Sequence, residues 1–361
     1  MLVAIVGAGN AGYAHACKLV EAGNKVRLVK TSQSLHEASF KTIMAKGGIN
    51  AVDDTNNGRR FFAKLDMVTR DLKAAVEGTD AVFVSIQSLY HKALAERLGP
   101  LLKEGQIVIV VPGNMGTVYL KQKTAVRDVI FAEGESLPYD ARIIEDGVVN
   151  ILFRNVRNSL GFMPVSKKEK GLELAGRLFD TYRFFRRNII ESALHNPNLI
   201  VHTVGTVMSA SRIEHSEGEF YLYKEAFTPS IWNLIEKLDL EKNNILENIG
   251  CDRLDYIDAC KFRNEEDLTK DSLEVFRSYA KCGPKGPSTP NTRYIYEDVP
   301  MGLCFMSSMG DKLGIATPVC DSIINIASAM LKRDFWEEGR TLERLGLSDM
   351  TKEEMLEYVT K

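Results

Sequence analysis

Hydrophobic residues follow two different rhythms along this chain. Through the first half they form short apolar runs, LVAIV (2–6), KVRLV (25–29), DAVFVSIQ (80–87) and QIVIVV (106–111). A further run, KLDMVT (64–69), has the same character. Between them lie helical stretches over 11–22, up to Gly78, and over 91–103. Apolar strands alternating with helices of roughly 10–15 residues predict a doubly wound, mostly parallel sheet covered on both faces. The alternation continues less clearly through RIIEDGVVNILFR (142–154) and a helix over 167–180.

After about residue 187 the rhythm becomes helical. NPNLIVHTVGTVMSASRIE (196–214), TPSIWNLIEKLDLEKNNILENI (228–249), EEDLTKDSLEVFRSYAK (265–281) and VCDSIINIASAMLKRDFW (319–336) all carry a 3.6-residue period. One loop rich in Gly and Pro, CGPKGPSTP (282–290), interrupts them. The expected organisation is therefore an α/β domain over 1–187 followed by an all-α domain over 188–361. A chain of 361 residues is long enough for two such cores.

The first strand ends in Gly7-Ala8-Gly9-Asn10-Ala11-Gly12, a G-x-G-x-x-G turn that opens the first helix. In this position the motif predicts a Rossmann-type dinucleotide site. The first glycine makes the tight turn, the second lets backbone amides approach a pyrophosphate, and the third lets helix and strand pack closely. The helix N-terminus supplies positive potential for the phosphates. The second strand ends Val29-Lys30-Thr31-Ser32. An NAD site usually has a carboxylate there for the ribose 2′-hydroxyl. A cation followed by two hydroxyls suits a 2′-phosphate, so NADP(H) is favoured over NAD(H). Pro112, Gly113 and Asn114 follow another central strand and are candidate nicotinamide-side contacts, with His91 nearby or simply hydrogen-bonded at a helix start.

The helix opened by Asn196-Pro197 poses a separate question. Leu199, Ile200, Val201, Val204 and Val207 are apolar, yet Asn198, His202, Thr206 and Ser209 run up one side at steps of four, four and three. Gly205 sits inside the helix, at a cost of roughly 1 kcal/mol against alanine, as if something approaches closely there. His202 reads equally well as a satisfied core histidine or as a general acid/base. A catalytic imidazole wants a carboxylate to orient it, and a keto acid wants an arginine fork. NTRYIYEDVPMG (291–302) contains both, as Asp298 and Arg293. A surface turn with a structural ion pair is the other reading of that segment.

Charge and composition narrow the partners. The net charge of −2 gives no electrostatic case for nucleic acid or an anionic membrane, and no run reaches the ~18–20 apolar residues of a membrane span. The N-terminal strand has no basic region ahead of it, and the six cysteines show no metal-ligand spacing. Reduced thiols and a cytoplasmic location are expected. Small molecules are the expected partners; a homodimer would suit the helical domain, although no interface is marked.

LHNPNLIVHTVG (194–205), GEFYLYKEAFTPSI (218–231) and TRYIYEDVPMGL (292–303) together resemble the octopine/nopaline (opine) dehydrogenase family. FAEGESLPYDAR (131–142) and DFWEEGRTLERLGLSDMT (334–351) are similar to that family too, so the resemblance spans nearly the whole chain in order. It implies a Rossmann domain joined to an all-helical domain, with the active site between them. The implied activity is NAD(P)H-dependent condensation of an α-keto acid, commonly pyruvate, with the amine of an amino acid. It further implies His202 as the catalytic histidine, Asp298 as its carboxylate partner, Arg293 as the keto-acid anchor and Asn198 as an active-site asparagine. Tyr221, Tyr223, Lys224 and Glu225 are candidates for meeting the amine, or surface structure. The rival readings are a reductase of the 6-phosphogluconate or ketopantoate type and a non-catalytic dinucleotide sensor. The former generally uses a lysine in the corresponding helix, where this chain has His202.

Overall fold

The computed structural model describes residues 1–33, 35–283 and 285–361. The chain divides into two compact units, Met1–Ser192 with Thr360–Lys361, and Ala193–Val359. The helix Ile189–Leu194 straddles the division.

Among the described residues the first unit is built on twelve strands. These are β1 (Leu2–Val6), β2 (Lys25–Val29), β3 (Gly48–Asp53), β4 (Arg59–Lys64), β5 (Met67–Thr69) and β6 (Ala81–Val84). Then follow β7 (Ile107–Val110), β8 (Ile130–Gly134), β9 (Tyr139–Glu145), β10 (Val148–Arg154), β11 (Asn158–Met163) and β12 (Tyr182–Phe185). The main sheet has the order β12-β11-β8-β7-β6-β1-β2-β5. It is parallel from β5 across to β8. β11 then runs antiparallel to β8. The order reverses at β1, with β2 on one side and β6 on the other, which is where ligands sit in open sheets of this kind. Both faces of the central strands are covered, so Val3, Ile5, Phe83, Ile107 and Ile109 are buried, as the unbroken apolar runs require. The helix Asn10–Glu21 packs Tyr13, Ala14 and Cys17 into that core.

Two segments depart from the simple alternation. KLDMVT does not form one strand: β4 ends at Lys64, Leu65 is buried, and β5 starts at Met67 in the other sheet. RIIEDGVVNILFR does not continue the parallel pattern either. It folds into the antiparallel pair β9–β10, turning at Asp146-Gly147, where Gly147 has φ 78°. These strands complete a second sheet, β4-β3-β10-β9, in which β3 and β10 run parallel. The Asn10 carboxamide fastens this sheet to the glycine turn, its Oδ1 accepting from Ile143 N–H at 2.7 Å.

The second unit is helical. Its main helices are Asn198–Met208, Pro229–Asn248, Tyr256–Asn264, Ser272–Cys282, Cys304–Leu313 and Pro318–Leu331. Ile235, Leu238, Ile245 and Leu246 form the buried stripe of the longest one. From the same helix the Glu241 carboxylate accepts from Val319 N–H and Cys320 N–H, at 2.8 and 3.0 Å. It thereby satisfies the otherwise open amides at the start of Pro318–Leu331. Among the described residues no helix is long and apolar enough to cross a membrane.

Candidate active site

In the first unit, the glycine turn has the shape that a dinucleotide needs. Gly7 has φ 122°, and a side chain there would run into the Ser85 backbone; one on Gly12 would strike the Gly7 carbonyl. Gly9 differs. A Cβ there would meet only the His36 ring, at 3.9 Å, so the space on that side of the turn is open. The helix behind it starts without a side-chain cap and without an acidic residue in its first turn. Its positive end is thus uncompensated by the chain, as an incoming pyrophosphate requires. Ala11 lies in that first turn, and the Asn10 side chain is committed to Ile143.

The end of β2 carries a cationic cluster that local sequence shows only in part. Lys30 is buried, with Nζ donating to Ser32 Oγ at 2.9 Å and to the Leu35 carbonyl. Thr31 is half-buried and Ser32 exposed. Because Val29 pairs with Thr69 in β5, Arg70 arrives beside Lys30 and donates to the Ser32 carbonyl at 3.0 Å. Arg70 also grips the Glu37 carboxylate. Burial lowers the Lys30 pKa, and Arg70 adds to that fall against the opposing pull of Glu37. Burial also lowers His36, with Lys30 contributing. Arg70 and His36 were not expected from sequence; the pairing of β5 with β2 brings Arg70 there, and His36 lies near Gly9.

The loop after β7 is shaped by a buried carboxylate. Glu133 accepts from Met115 N–H at 2.8 Å and from Thr117 N–H at 2.7 Å. Pro112 and Gly113 lead into this turn, and Gly113 lies directly against the Glu133 side chain. Asn114 is buried and donates from Nδ2 to Ser88 Oγ at 3.1 Å. His91 is also buried and packs against Gly116. The side chain of Asn114 therefore braces the loop.

In the second unit, the polar ladder acquires partners. The helix begins at Asn198, two residues beyond the expected cap, and the Asn196 side chain accepts from Asn198 N–H at 3.1 Å. Asn198 is half-buried at the start of the ladder, and Thr206 is fully buried one turn beyond His202. His202 presents Nδ1 to Asp298 Oδ2 at 2.8 Å and Nε2 to the Tyr223 hydroxyl at 3.2 Å. Tyr294 stacks on the imidazole with centroids 3.6 Å apart and planes 14° apart, a contact of about 0.5–1.5 kcal/mol beyond burial. The Arg293 guanidinium lies over the Tyr294 ring at 5.5 Å. Its Nη1 is 3.8 Å from Glu297 Oε2, and its side chain keeps 42% of its surface exposed.

The electrostatics suit proton traffic. Burial pushes Asp298 up to about 7, against the lowering pull of Arg293. A buried carboxyl that exchanges its proton near neutrality is thus hydrogen-bonded to the imidazole. Gly205 also finds its reason. A Cβ there would lie 2.9 Å from Leu222 Cδ1 and 3.2 Å from Phe227 Cζ, so the chain itself makes the close approach. The sequence offered Tyr223 only as a contact for the amine or as surface structure and missed Tyr294 altogether, although Tyr294 directly follows Arg293.

Both halves of the chain match models of known protein families. A family model described as the alpha-helical domain of NAD/NADP octopine/nopaline dehydrogenase matches residues 185–331. One described as NADP oxidoreductase, coenzyme F420-dependent, matches residues 2–112. The opine dehydrogenase of Arthrobacter sp. (strain 1C) is 28% identical, with 96% of each chain covered. The vitopine synthase of Allorhizobium ampelinum is 23% identical over 96% of this chain and 95% of its own. Among solved structures, octopine dehydrogenase with NADH and agmatine has a TM-score of 0.74 at 17% identity, covering 100% of this chain and 98% of its own. Yersinopine dehydrogenase with NADP+ bound also gives 0.74, at 14% identity and the same coverage.

Proposed function

Because the chain belongs to the octopine/nopaline dehydrogenase family, we propose that it joins an α-keto acid to the amino group of an amino acid. The imine is reduced to an N-(carboxyalkyl) amino acid, and the reaction runs in both directions. The observation that carries this reading is the buried His202–Asp298 pair, with Arg293 five residues before the carboxylate.

The chemistry makes specific demands on these residues. An amino acid arrives as an ammonium ion, and only the neutral amine attacks a ketone, so one proton must first be removed. The resulting carbinolamine loses its hydroxyl as water, so one proton must be returned. His202 takes and returns that proton, and Asp298 stabilises the imidazolium between the two steps. Arg293 holds the keto-acid carboxylate through its planar fork, and Asn198 offers an amide to the substrate. Bound NAD(P)H supplies hydride to the C=N carbon. Gly7, Gly9 and Gly12 shape its pyrophosphate site, and Lys30 with Arg70 and Ser32 favours the 2′-phosphate of NADP(H). This reading places the enzyme in the cytoplasm.

The test is optical. NADPH and NADH oxidation are followed with pyruvate, alone and with a panel of amino acids. Oxidation that needs both partners is the expected result. Oxidation with pyruvate alone would make the protein a simple ketone reductase. No oxidation with any pair would leave a nucleotide-binding protein without this chemistry. NADH binding at least tenfold tighter than NADPH would overturn the cofactor preference.

A further inference from the structure

Tyr223 is fixed in place by features that would otherwise cost stability. Gly205, three residues after His202, gives up about 1 kcal/mol of helix propensity and lets Leu222 and Phe227 lie against the helix. Tyr223 sits between those two anchors. On its other side, Gly283 lacks a Cβ that would stand 3.2 Å from Tyr223 Cδ2. Tyr279 meets the phenol ring edge-on at 5.2 Å, and Phe276 lies at 6.4 Å. All of this directs one hydroxyl at the imidazole nitrogen opposite Asp298, at 3.2 Å.

The surroundings of His202 explain why that hydroxyl matters. The imidazole side chain is 5% exposed, one edge is on Asp298 and one face is under Tyr294. Tyr223 is only half-buried. A proton leaving Nε2 along this hydrogen bond reaches the phenol oxygen first.

We propose that Tyr223 is a catalytic residue whose hydroxyl exchanges protons directly with the substrate nitrogen and oxygen, with His202 as the proton store behind it. This rests on the reaction proposed above and deepens it. With Nδ1–H donated to Asp298, Nε2 is free of a proton and accepts the phenol O–H. In the first step the phenol passes its proton to Nε2 and takes one from the substrate ammonium, leaving a neutral amine, a neutral phenol and an imidazolium. In the dehydration step the phenol gives its proton to the carbinolamine oxygen, the C–O bond breaks, and water leaves. The Nε2 proton then refills the phenol. One proton is removed and one returned, so Tyr223 ends as it began and never needs to exist as a free phenolate.

Tyr223→Phe keeps the ring and removes only the hydroxyl. The expected result is a loss of about 10²-fold in kcat, with the keto-acid KM, the NADPH Kd and the melting temperature held within twofold or a few degrees of the parent. A kcat equal to or above wild type would overturn the proposal, because the hydroxyl would then only occupy Nε2 in the resting enzyme. A fall in kcat accompanied by equal weakening of both ligands and of thermal stability would overturn it too, by making the role structural. The parent reading fails separately, through wild-type protein that is inactive with every keto acid–amine pair. In that event the imidazole ¹⁵N shifts of His202, which need no turnover, still test the contact. They move in Tyr223→Phe if the phenol is bonded to Nε2, and unmoved shifts would reject it.

Discussion

His202 Nδ1 and Asp298 Oδ2 lie 2.8 Å apart, with the two side chains 5% and 2% exposed. In the proposed mechanism the carboxylate fixes the imidazole tautomer so that Nε2 is left to accept a proton. Asp298→Asn preserves shape but loses the anion, and turnover is expected to fall about 10²- to 10⁴-fold. His202→Ala should cost about 10²-fold or more with NADPH affinity nearly intact. Steady-state rates with fluorescence titration of NADPH check both, and wild-type-like turnover in either variant removes that residue from the mechanism.

The same pair makes stability depend on pH in a predictable direction. Burial raises Asp298 from 3.8 to about 7, so the folded protein holds a proton that the unfolded chain releases near pH 4. Its contribution is fully present below pH 4 and is lost as pH rises towards about 7. At most about 4 kcal/mol is involved, and pairing with the His202 imidazolium reduces it. Asp298→Asn lacks this titration. Urea unfolding at pH 5 and pH 8 should show the variant gaining relative to wild type at the higher pH; a gap that narrows the other way contradicts the assignment.

Arg293→Lys keeps the charge and loses the fork. A keto-acid KM raised about tenfold with kcat changed far less is expected, since a hydrogen bond to a charged group contributes about 1.5–3 kcal/mol and lysine cannot reproduce both of the fork's bonds. An unchanged KM would mean that another group holds the carboxylate.

Arg70 tests the cofactor cluster. Arg70→Ala should weaken NADPH roughly tenfold while leaving NADH nearly unchanged, because an arginine–phosphate contact contributes about 1.5–3 kcal/mol and only one cofactor has the phosphate. Isothermal titration with both nucleotides decides this. Equal losses for the two would place Arg70 outside the 2′-phosphate site.

Gly205→Ala sets helix propensity against packing. Alanine brings about 1 kcal/mol to the helix, while crowding Leu222 and Phe227 costs about 1–3 kcal/mol. The net loss of stability is therefore small, about 1 kcal/mol. Activity should fall further than stability, because the shifted segment carries Tyr223. Denaturant midpoints measured beside kcat would show whether the two losses separate.

The sheet and the helical half were legible because burial on both faces writes itself as unbroken apolar runs, and amphipathic helices as a 3.6-residue period. The second sheet was not. β3, β4, β9 and β10 have six or seven residues each but are buried unevenly, so they lack the unbroken apolar runs of the main sheet. For the proposed site, ladder spacing left His202 evenly balanced between core residue and catalyst, residue type offered Arg293 and Asp298, and the family resemblance joined the three. What stayed hidden was contact made through topology. Arg70 reaches Lys30 only because β5 lies beside β2, and Tyr223 reaches His202 only because two glycines open the way. Neither relation has a local spacing from which it could be read.

The second sheet also carries a consequence for the order in which the chain folds. β3 pairs in parallel with β10, whose residues lie roughly a hundred positions later, and such distant pairings close late because the intervening loop must be ordered first. During synthesis the β3–β4 hairpin emerges with one edge bare and stays so until β10 is made. The glycine turn, tied by Asn10 to β9, is therefore completed only after about 150 residues have left the ribosome. Fragments ending between Lys64 and Val148 should present the open β3 edge and self-associate, whereas the full chain should not.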